Sequence, residues 1–482
     1  MKKKITERLN AHNIFIVIAL VFGFIFVFAT PLLWGADETT QLGRAYQISQ
    51  NHVQPEFFGI FHGGGYGGQL PTSLINLIGY VNQDLTHPHV NANGVGQVNK
   101  PSSYKQLGSQ KIGKANTLYV FSNTAPYSPI AYIPSSLGLK VGISLNLDVA
   151  NTLHLARLMG LIFYIAIVGF AIRALRNSRT KWIIFTVALL PMSLFQASMI
   201  TADSLTIAVS LLLVSMVLKA LVSSDRLTRS EIIAICTSVI AVPLLKPTYL
   251  PLIFLLLLVP NKTISTNPNK PRILKAGILM LGLTLFGIWS YDTRNITDTL
   301  RLVIPGNVWN TINPTLQEHF LSTHIFSYLA AVFRTFIIND NTYFNQFFGL
   351  LGFNYVQIPA ISIFASFISL VLAVLLSESF KERISKLKIA SIFVIVIASV
   401  AIMLTTFYIT LTSVGGDTIG GLQGRYFIPL AAPALIGIAF LLPKLRLVYS
   451  KIAYRQATSL IVILVILSLS ASALKYYYFT FG

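Results

Sequence analysis

Apolar runs about 20 residues long, the length that carries an α-helix through the hydrocarbon of a bilayer, recur along the chain. They cover residues 14–33, 153–172, 182–200, 204–222, 273–291, 356–376, 389–411, 427–442 and 459–474. Two shorter runs, 232–245 and 249–259, flank Lys246-Pro247-Thr248. They read as a tight hairpin, because one long crossing would put the later basic clusters on the opposite face from the earlier ones. The pattern therefore predicts an all-α polytopic membrane protein of about eleven transmembrane helices. Three polar stretches remain: 34–152, 292–355 and 412–426. No polar linker divides the apolar runs, so residues 1–482 read as one membrane domain with two large loops, 34–152 and 292–355. The moderately apolar segments 125–147 and 324–338, the latter with Arg334 on its polar side, read as lying at the interface or packed on the bundle.

Charge fixes the expected orientation. Only 11 % of residues are charged, against about 25 % in a soluble protein. The net charge is +20, and the cations gather in short loops between runs. Lys2, Lys3, Lys4 and Arg8 precede the first run; Arg173, Arg176, Arg179 and Lys181 form another cluster, and Lys381, Arg383, Lys386 and Lys388 a later one. Cytoplasmic loops retain Lys and Arg in this way, which places the N-terminus inside, the C-terminus outside and all three polar stretches outside. The charge thus calls for membrane lipid as a partner, anionic inner-leaflet lipid above all, and for no nucleic acid. The first apolar run exceeds the roughly 7–15 residues of a signal-peptide core, so it reads as an uncleaved helix. The single cysteine, Cys236, makes neither an intramolecular disulfide nor a cysteine metal site.

Against so apolar a background the remaining charges stand out. Asp37 and Glu38 follow the first run beside Trp34. They read either as an interfacial charge pair or as a general base or divalent-cation ligand at the membrane surface. Adjacent helical residues diverge by about 100°, so one carboxylate would act on a ligand and the other on the structure. Arg44 and Tyr46 follow within reach. Asp203, between two runs, is a helix N-cap, a polar-cavity residue, or both. Arg157, inside a run, either snorkels to the interface or holds a phosphate. Lys246 and Tyr249 sit at the hairpin tip, and Arg425 and Tyr426 open a later run. Arg157, Lys246 and Arg425 converge on the outer boundary, an arrangement suited to the phosphate or pyrophosphate of an anionic lipid. The glycines from Gly63 to Gly68 lack the following Lys-Ser/Thr of a nucleotide loop. His62, His87 and His89 lie in the first loop, where His87-Pro88-His89 is a weak metal motif.

Five stretches, taken in order, resemble a bacterial membrane-protein family known as domain of unknown function 2142. They are residues 36–49 around Asp37-Glu38, Asn123-Thr124-Ala125-Pro126-Tyr127 through Pro134, residues 191–198 with Asp203, Lys246-Pro247-Thr248-Tyr249, and Gly424-Arg425-Tyr426-Phe427-Ile428-Pro429. Gln41 occupies a position where that family often has histidine. The family is similar to the C-type glycosyltransferases, multi-span enzymes that use a polyprenyl-phosphate-linked sugar and carry a catalytic acid in the first outer loop. The resemblance implies a glycosyltransferase of the bacterial cytoplasmic membrane, moving a sugar from that donor to a cell-envelope polymer or glycolipid. Asp37 or Glu38 would be the catalytic base, and Arg44, Arg157, Asp203, Lys246, Tyr249, Arg425 and Tyr426 would bind substrate. An activated donor needs no nucleotide, and a divalent cation is the one cofactor the carboxylates suggest. Two other functions use the same cations: a transporter or flippase of lipid-linked glycan, and a non-catalytic scaffold for envelope assembly.

Overall fold

A computed structural model describes residues 10–59, 65–86, 89–90, 96–97, 101–222, 225–267, 269–296, 311–352, 354–377, 384–442 and 450–481. Its helices are α1 (Ala11–Ala29), α2 (Glu38–Ser49), α3 (Thr72–Thr86), α4 (Pro101–Gly108), α5 (Ile133–Ser144) and α6 (Val149–Ala174). Then come α7 (Lys181–Ala188), α8 (Pro191–Ala197), α9 (Ala202–Val222), α10 (Arg229–Leu245), α11 (Asn261–Ile264) and α12 (Asn269–Asp292). The last are α13 (Pro314–Thr323), α14 (Ile325–Phe348), α15 (Ala360–Leu375), α16 (Lys386–Leu411), α17 (Ile428–Leu441) and α18 (Lys451–Phe481). Every apolar run of the sequence is helical, but among the described residues only seven helices have the length and composition to cross a bilayer, or eight if α13 and α14 are one bent span.

The packing follows from treating lipid as solvent. Along α1 the buried positions are Ala11, Phe15, Ile18, Ala19, Gly23, Phe26 and Val27, one helical face. Val17, Leu20, Val21, Phe24 and Phe28 are exposed on the other. An exposed apolar face costs nothing in hydrocarbon, so helices associate through close packing instead. Gly23 shows this: a Cβ there would lie 2.5 Å from the side chain of Leu161 on α6. Helix α9 is the central pillar, 89 % buried over its apolar window, whereas α12 is only 11 % buried and lies at the rim.

Run 182–200 is not one span. It breaks into α7 and α8 at Leu189-Leu190. Pro191 has no N–H to give the carbonyl of Val187; the Ser193 hydroxyl donates to that oxygen instead, at 2.7 Å. Tyr164 donates to the neighbouring Ala188 carbonyl at 2.8 Å. A proline break deep in the bundle is thus kept free of unsatisfied backbone.

The hairpin reading of 232–259 matches the geometry. The backbone N–H of Leu227, before α10, donates to the carbonyl of Thr263 at 2.8 Å, so the chain returns to where it began. Its second arm, Pro247–Leu258, is a 3-10 helix, started and interrupted by Pro247 and Pro251. At about 2.0 Å per residue, such a helix reaches some 24 Å in twelve residues, where an α-helix would reach about 18 Å.

Helix α5 packs lengthwise on α6, with Gly138 so close that a Cβ would meet the Ala156 backbone at 2.5 Å. The segment around 125–147 therefore lies against the bundle. Outside the helices, strands β1 (Glu56–Phe58), β2 (Gly65–Pro71) and β5 (Ala115–Val120) form an antiparallel sheet in the order β1-β2-β5, with Gly67 opposite Glu56 and Val120. Two-residue strands β3 (His89–Val90) and β4 (Gly96–Gln97) pair with each other, as do β6 (Leu350–Leu351) and β7 (Val356–Gln357). The polar stretch 292–355 is not structureless: α13 and α14 meet in it at 107°. Helix α14 packs on the Gly424–Phe427 turn through Gly424, where a Cβ would stand 2.0 Å from the Tyr343 carbonyl.

Candidate functional site

The chain turns sharply between α1 and α2. Leu33 and Asp37 both adopt left-handed backbone, with φ of 65° and 56°. Asp37 occupies the N-cap position of α2 but makes no capping hydrogen bond. An N-cap aspartate ordinarily accepts from the first-turn N–H groups; this one turns away, and its side chain remains one-third exposed.

Glu38 does the opposite. It is 1 % exposed and accepts four hydrogen bonds. Arg157 donates from Nε to Oε1 at 2.8 Å and from Nη2 to Oε2 at 2.6 Å. The backbone N–H groups of Gly35 and Ile200 donate at 2.8 and 3.0 Å. Arg157 spends its other three N–H groups on the carbonyls of Val27, Thr30 and Pro31. A guanidinium has five donors, and all five are engaged within the protein. The pair ties the end of α1 to the break before α9. It engages every donor of Arg157 and four acceptor positions of Glu38 within the protein.

The other charges form a separate cluster, of which only Asp37 is partly exposed. Arg425 donates from Nη2 to Asp37 Oδ2 at 2.9 Å, and its Nε stands 3.6 Å from Asp203 Oδ2. Lys246 donates to the other oxygen of Asp203. Asp203 therefore lies between the two cations, and two carboxylates balance two positive charges. Arg425 is 5 % exposed, yet its Nε and Nη1 have no hydrogen-bond partner among the described residues. Burying a charged donor without a hydrogen bond is costly, so these N–H groups are well placed to donate to an acceptor.

Aromatic rings enclose the cations. Lys246 Nζ is 4.6 Å from the Tyr426 ring centre and 5.5 Å from that of Tyr127. Tyr426 stacks on Phe407 at 5.5 Å, and the Tyr249 hydroxyl donates to the Tyr426 carbonyl at 2.7 Å. Tyr249 thus holds the Arg425-Tyr426 turn in place from the hairpin tip. Burial pushes the Tyr127 hydroxyl up to about 12, so it stays protonated at neutral pH. Tyr127 is not among the site residues expected from the sequence, although it lies in the 123–134 motif that carries the resemblance. That motif docks on α2: Asn123 donates to Thr40 Oγ1 at 3.0 Å, and Thr124 to the Thr40 carbonyl at 3.0 Å.

Arg44 sits apart from the cluster and fully buried. It donates to Gln47 Oε1 at 2.6 Å and to the Val53 and Tyr127 carbonyls at 2.9 and 3.4 Å. Burial lowers its pKa to about 10, which still leaves it cationic at neutral pH. Its partners tie the first-loop layer together. Gln41 accepts from the Tyr132 hydroxyl at 2.5 Å and from the Ala202 N–H at 3.4 Å, a bridge between α2 and α9. His62 and His87 lie outside the described residues; among those described, no group of three or more potential metal ligands gathers.

Fold and site together define a polytopic membrane protein with an ion-paired, aromatic-lined cluster where its first loop meets the bundle. The chain belongs to the family described as predicted membrane proteins of domain of unknown function 2142 (DUF2142), whose pattern matches residues 20–434. No curated protein and no solved structure matches it.

Proposed function

We propose that this protein is a membrane glycosyltransferase, moving a sugar from a polyprenyl-phosphate donor to a hydroxyl of a cell-envelope polymer or glycolipid on the outer face of the bacterial cytoplasmic membrane. One observation carries the reading: buried Arg425 has three N–H groups, one on Nε and two on Nη1, that make no hydrogen bond, while its Nη2 donates to the partly solvated carboxylate of Asp37. Donors for an anion and a proton-accepting carboxylate therefore stand at the same spot.

The step balances as follows. The acceptor hydroxyl gives its proton to Asp37 as its oxygen bonds to the sugar's anomeric carbon. The bond from that carbon to the donor phosphate breaks, and the electron pair leaves with the polyprenyl phosphate. Protonation of Asp37 cancels its ion pair, so the Nη2 of Arg425 becomes available just as negative charge grows on the leaving phosphate. Preorganised donors aimed at developing charge are the strongest electrostatic aid a site offers. Asp203 holds Arg425 and Lys246 in place, and Tyr127 and Tyr426 wall the site from lipid. Glu38 and Arg157 support the turn that carries Asp37.

The test uses purified protein in nanodiscs, a polyprenyl-phosphosugar and an envelope acceptor. Asp37→Asn should reduce transfer by about 10²–10⁴-fold, the usual worth of a general base, while donor lipid still binds. Arg425→Ala should weaken donor binding. Full transfer by Asp37→Asn would remove the catalytic assignment, and a flippase would show lipid translocation with no glycan product in any variant.

A further inference from the structure

The turn that carries Tyr127 also reaches Asp37, by a route that uses no charge. Asn123 donates from its amide nitrogen to the Thr40 hydroxyl at 3.0 Å, and that hydroxyl donates to the backbone carbonyl of Asp37 at 3.0 Å. Proton count sets the direction. A hydroxyl has one proton, and with the amide N–H giving to its oxygen that proton is left for Asp37. The N–H of Gln41 gives to the same carbonyl at 2.9 Å. Oδ1 of Asn123 is buried and takes no hydrogen bond among the described residues, so the contact with Thr40 is what fixes the amide. The far end of the turn is anchored too: Trp289 of α12 donates from Nε1 to the Pro126 carbonyl at 2.7 Å.

From this relay we infer that Thr40 and Asn123 are positioning residues for Asp37, holding the left-handed backbone that aims its carboxylate at Arg425. The inference rests on the proposed function for what Asp37 does there. Left-handed backbone is unfavourable for residues other than glycine, least so for asparagine and aspartate, and it persists where the surroundings over-determine it. An N-cap aspartate on ordinary extended backbone would turn its carboxylate to the first-turn N–H groups. With φ at 56° Asp37 makes no such bond and meets Arg425 Nη2 at 2.9 Å instead. Two donors on its carbonyl, one from the helix backbone and one from Thr40, fix the peptide plane that follows the Cα from which this side chain leaves. The same turn lays the Tyr127 ring 5.5 Å from Lys246 Nζ. Carboxylate and cation thus share one frame, tied to α12 through Trp289.

The experiment compares Thr40→Val, Thr40→Ser and Asn123→Ala with the wild type, each as the full chain in nanodiscs. One readout is kcat and KM for transfer from a polyprenyl-phosphosugar. A misplacement of about 1 Å can cost about 10²-fold. Thr40→Val and Asn123→Ala should therefore lower kcat by about 10–100-fold with donor KM unchanged, and Thr40→Ser, which keeps the hydroxyl, should restore it. The other readout needs no substrate: carboxyl labelling by a water-soluble carbodiimide and an amine, mapped by peptide mass. Released from Arg425, Asp37 should label several-fold faster in Thr40→Val than in the wild type or Thr40→Ser. Ser362→Ala, which removes a hydroxyl that bonds α15 to α18, should move neither readout. Labelling unchanged in Thr40→Val, labelling equally fast in Thr40→Ser, or an intact kcat beside faster labelling would overturn the inference. Should Thr40→Val fail to fold, Asn123→Ala carries the same comparison. The two readings fail separately. Faster labelling with no transfer by any protein, the wild type included, sinks the transferase and leaves the relay; transfer by the wild type with labelling unchanged in the variants sinks the relay alone.

Discussion

Asp37 and Glu38 are neighbours in sequence with opposite circumstances in space. The sequence shows two carboxylates at a membrane boundary and the divergence that makes them serve different ends. It does not show which does what, because the partners come from far along the chain: Arg157 for Glu38, Arg425 for Asp37. The division yields a contrast in stability. Glu38→Gln breaks a buried, fully bonded ion pair, a loss worth about 3–5 kcal/mol. Asp37→Asn changes a side chain that is one-third exposed and whose amide oxygen can still accept from Arg425, so it should lower the unfolding temperature by much less. Thermal scans in detergent check both, and equal destabilisation by the two changes would refute the separation of roles. The charged cluster was legible because a charge inside an apolar run is conspicuous. Tyr127 was not, since nothing in a tyrosine's type distinguishes a ring over an ammonium from a ring in a core.

At the scale of elements, run length found every apolar helix and misjudged where some of them end. Pro191 sits in an unbroken apolar run, so only the missing N–H reveals the break between α7 and α8. The segment 324–338, with Arg334 on its polar side, reads as lying at the interface or packed on the bundle, and the helix that contains it, α14, continues as far as Phe348. Polar glue between helices was invisible altogether. Ser362 on α15 bonds to Ser468 and Ser472 on α18 at 2.9 and 2.6 Å, and Ser366 bonds to Ser468 at 2.7 Å. Serines in an apolar run look tolerated, and only the pairing shows their use. Intramembrane hydrogen bonds average about 0.6 kcal/mol each, so the triple change Ser362→Ala, Ser468→Ala, Ser472→Ala should cost about 2 kcal/mol at most. Unfolding titrations in mixed micelles measure it; no loss would mean that these hydroxyls exchange for backbone partners without penalty.

For the whole molecule, the ion pairs establish that the first loop, the hairpin tip and the start of α17 share one end of the bundle, since Asp37, Asp203, Lys246 and Arg425 touch there. Which compartment that end faces is a separate matter, and the basic clusters predict the outside. Reporter fusions after residues 105, 178, 384 and 482 should read out, in, in and out. A cytoplasmic reading at 105 would place the cluster on the wrong side of the membrane for an envelope acceptor.

The balance of two carboxylates against two cations has a kinetic corollary. A cluster with no net charge casts little field beyond its walls, so it does not draw anions through the water by long-range attraction. Under the proposed function, the donor would instead arrive by sliding sideways through the bilayer and feel Arg425 only on contact. Encounter would then be governed by lipid mobility, and raising ionic strength, which shortens the reach of exposed charges to a few ångströms, should leave the apparent donor affinity almost flat. Changing acyl composition to stiffen the bilayer should slow capture instead.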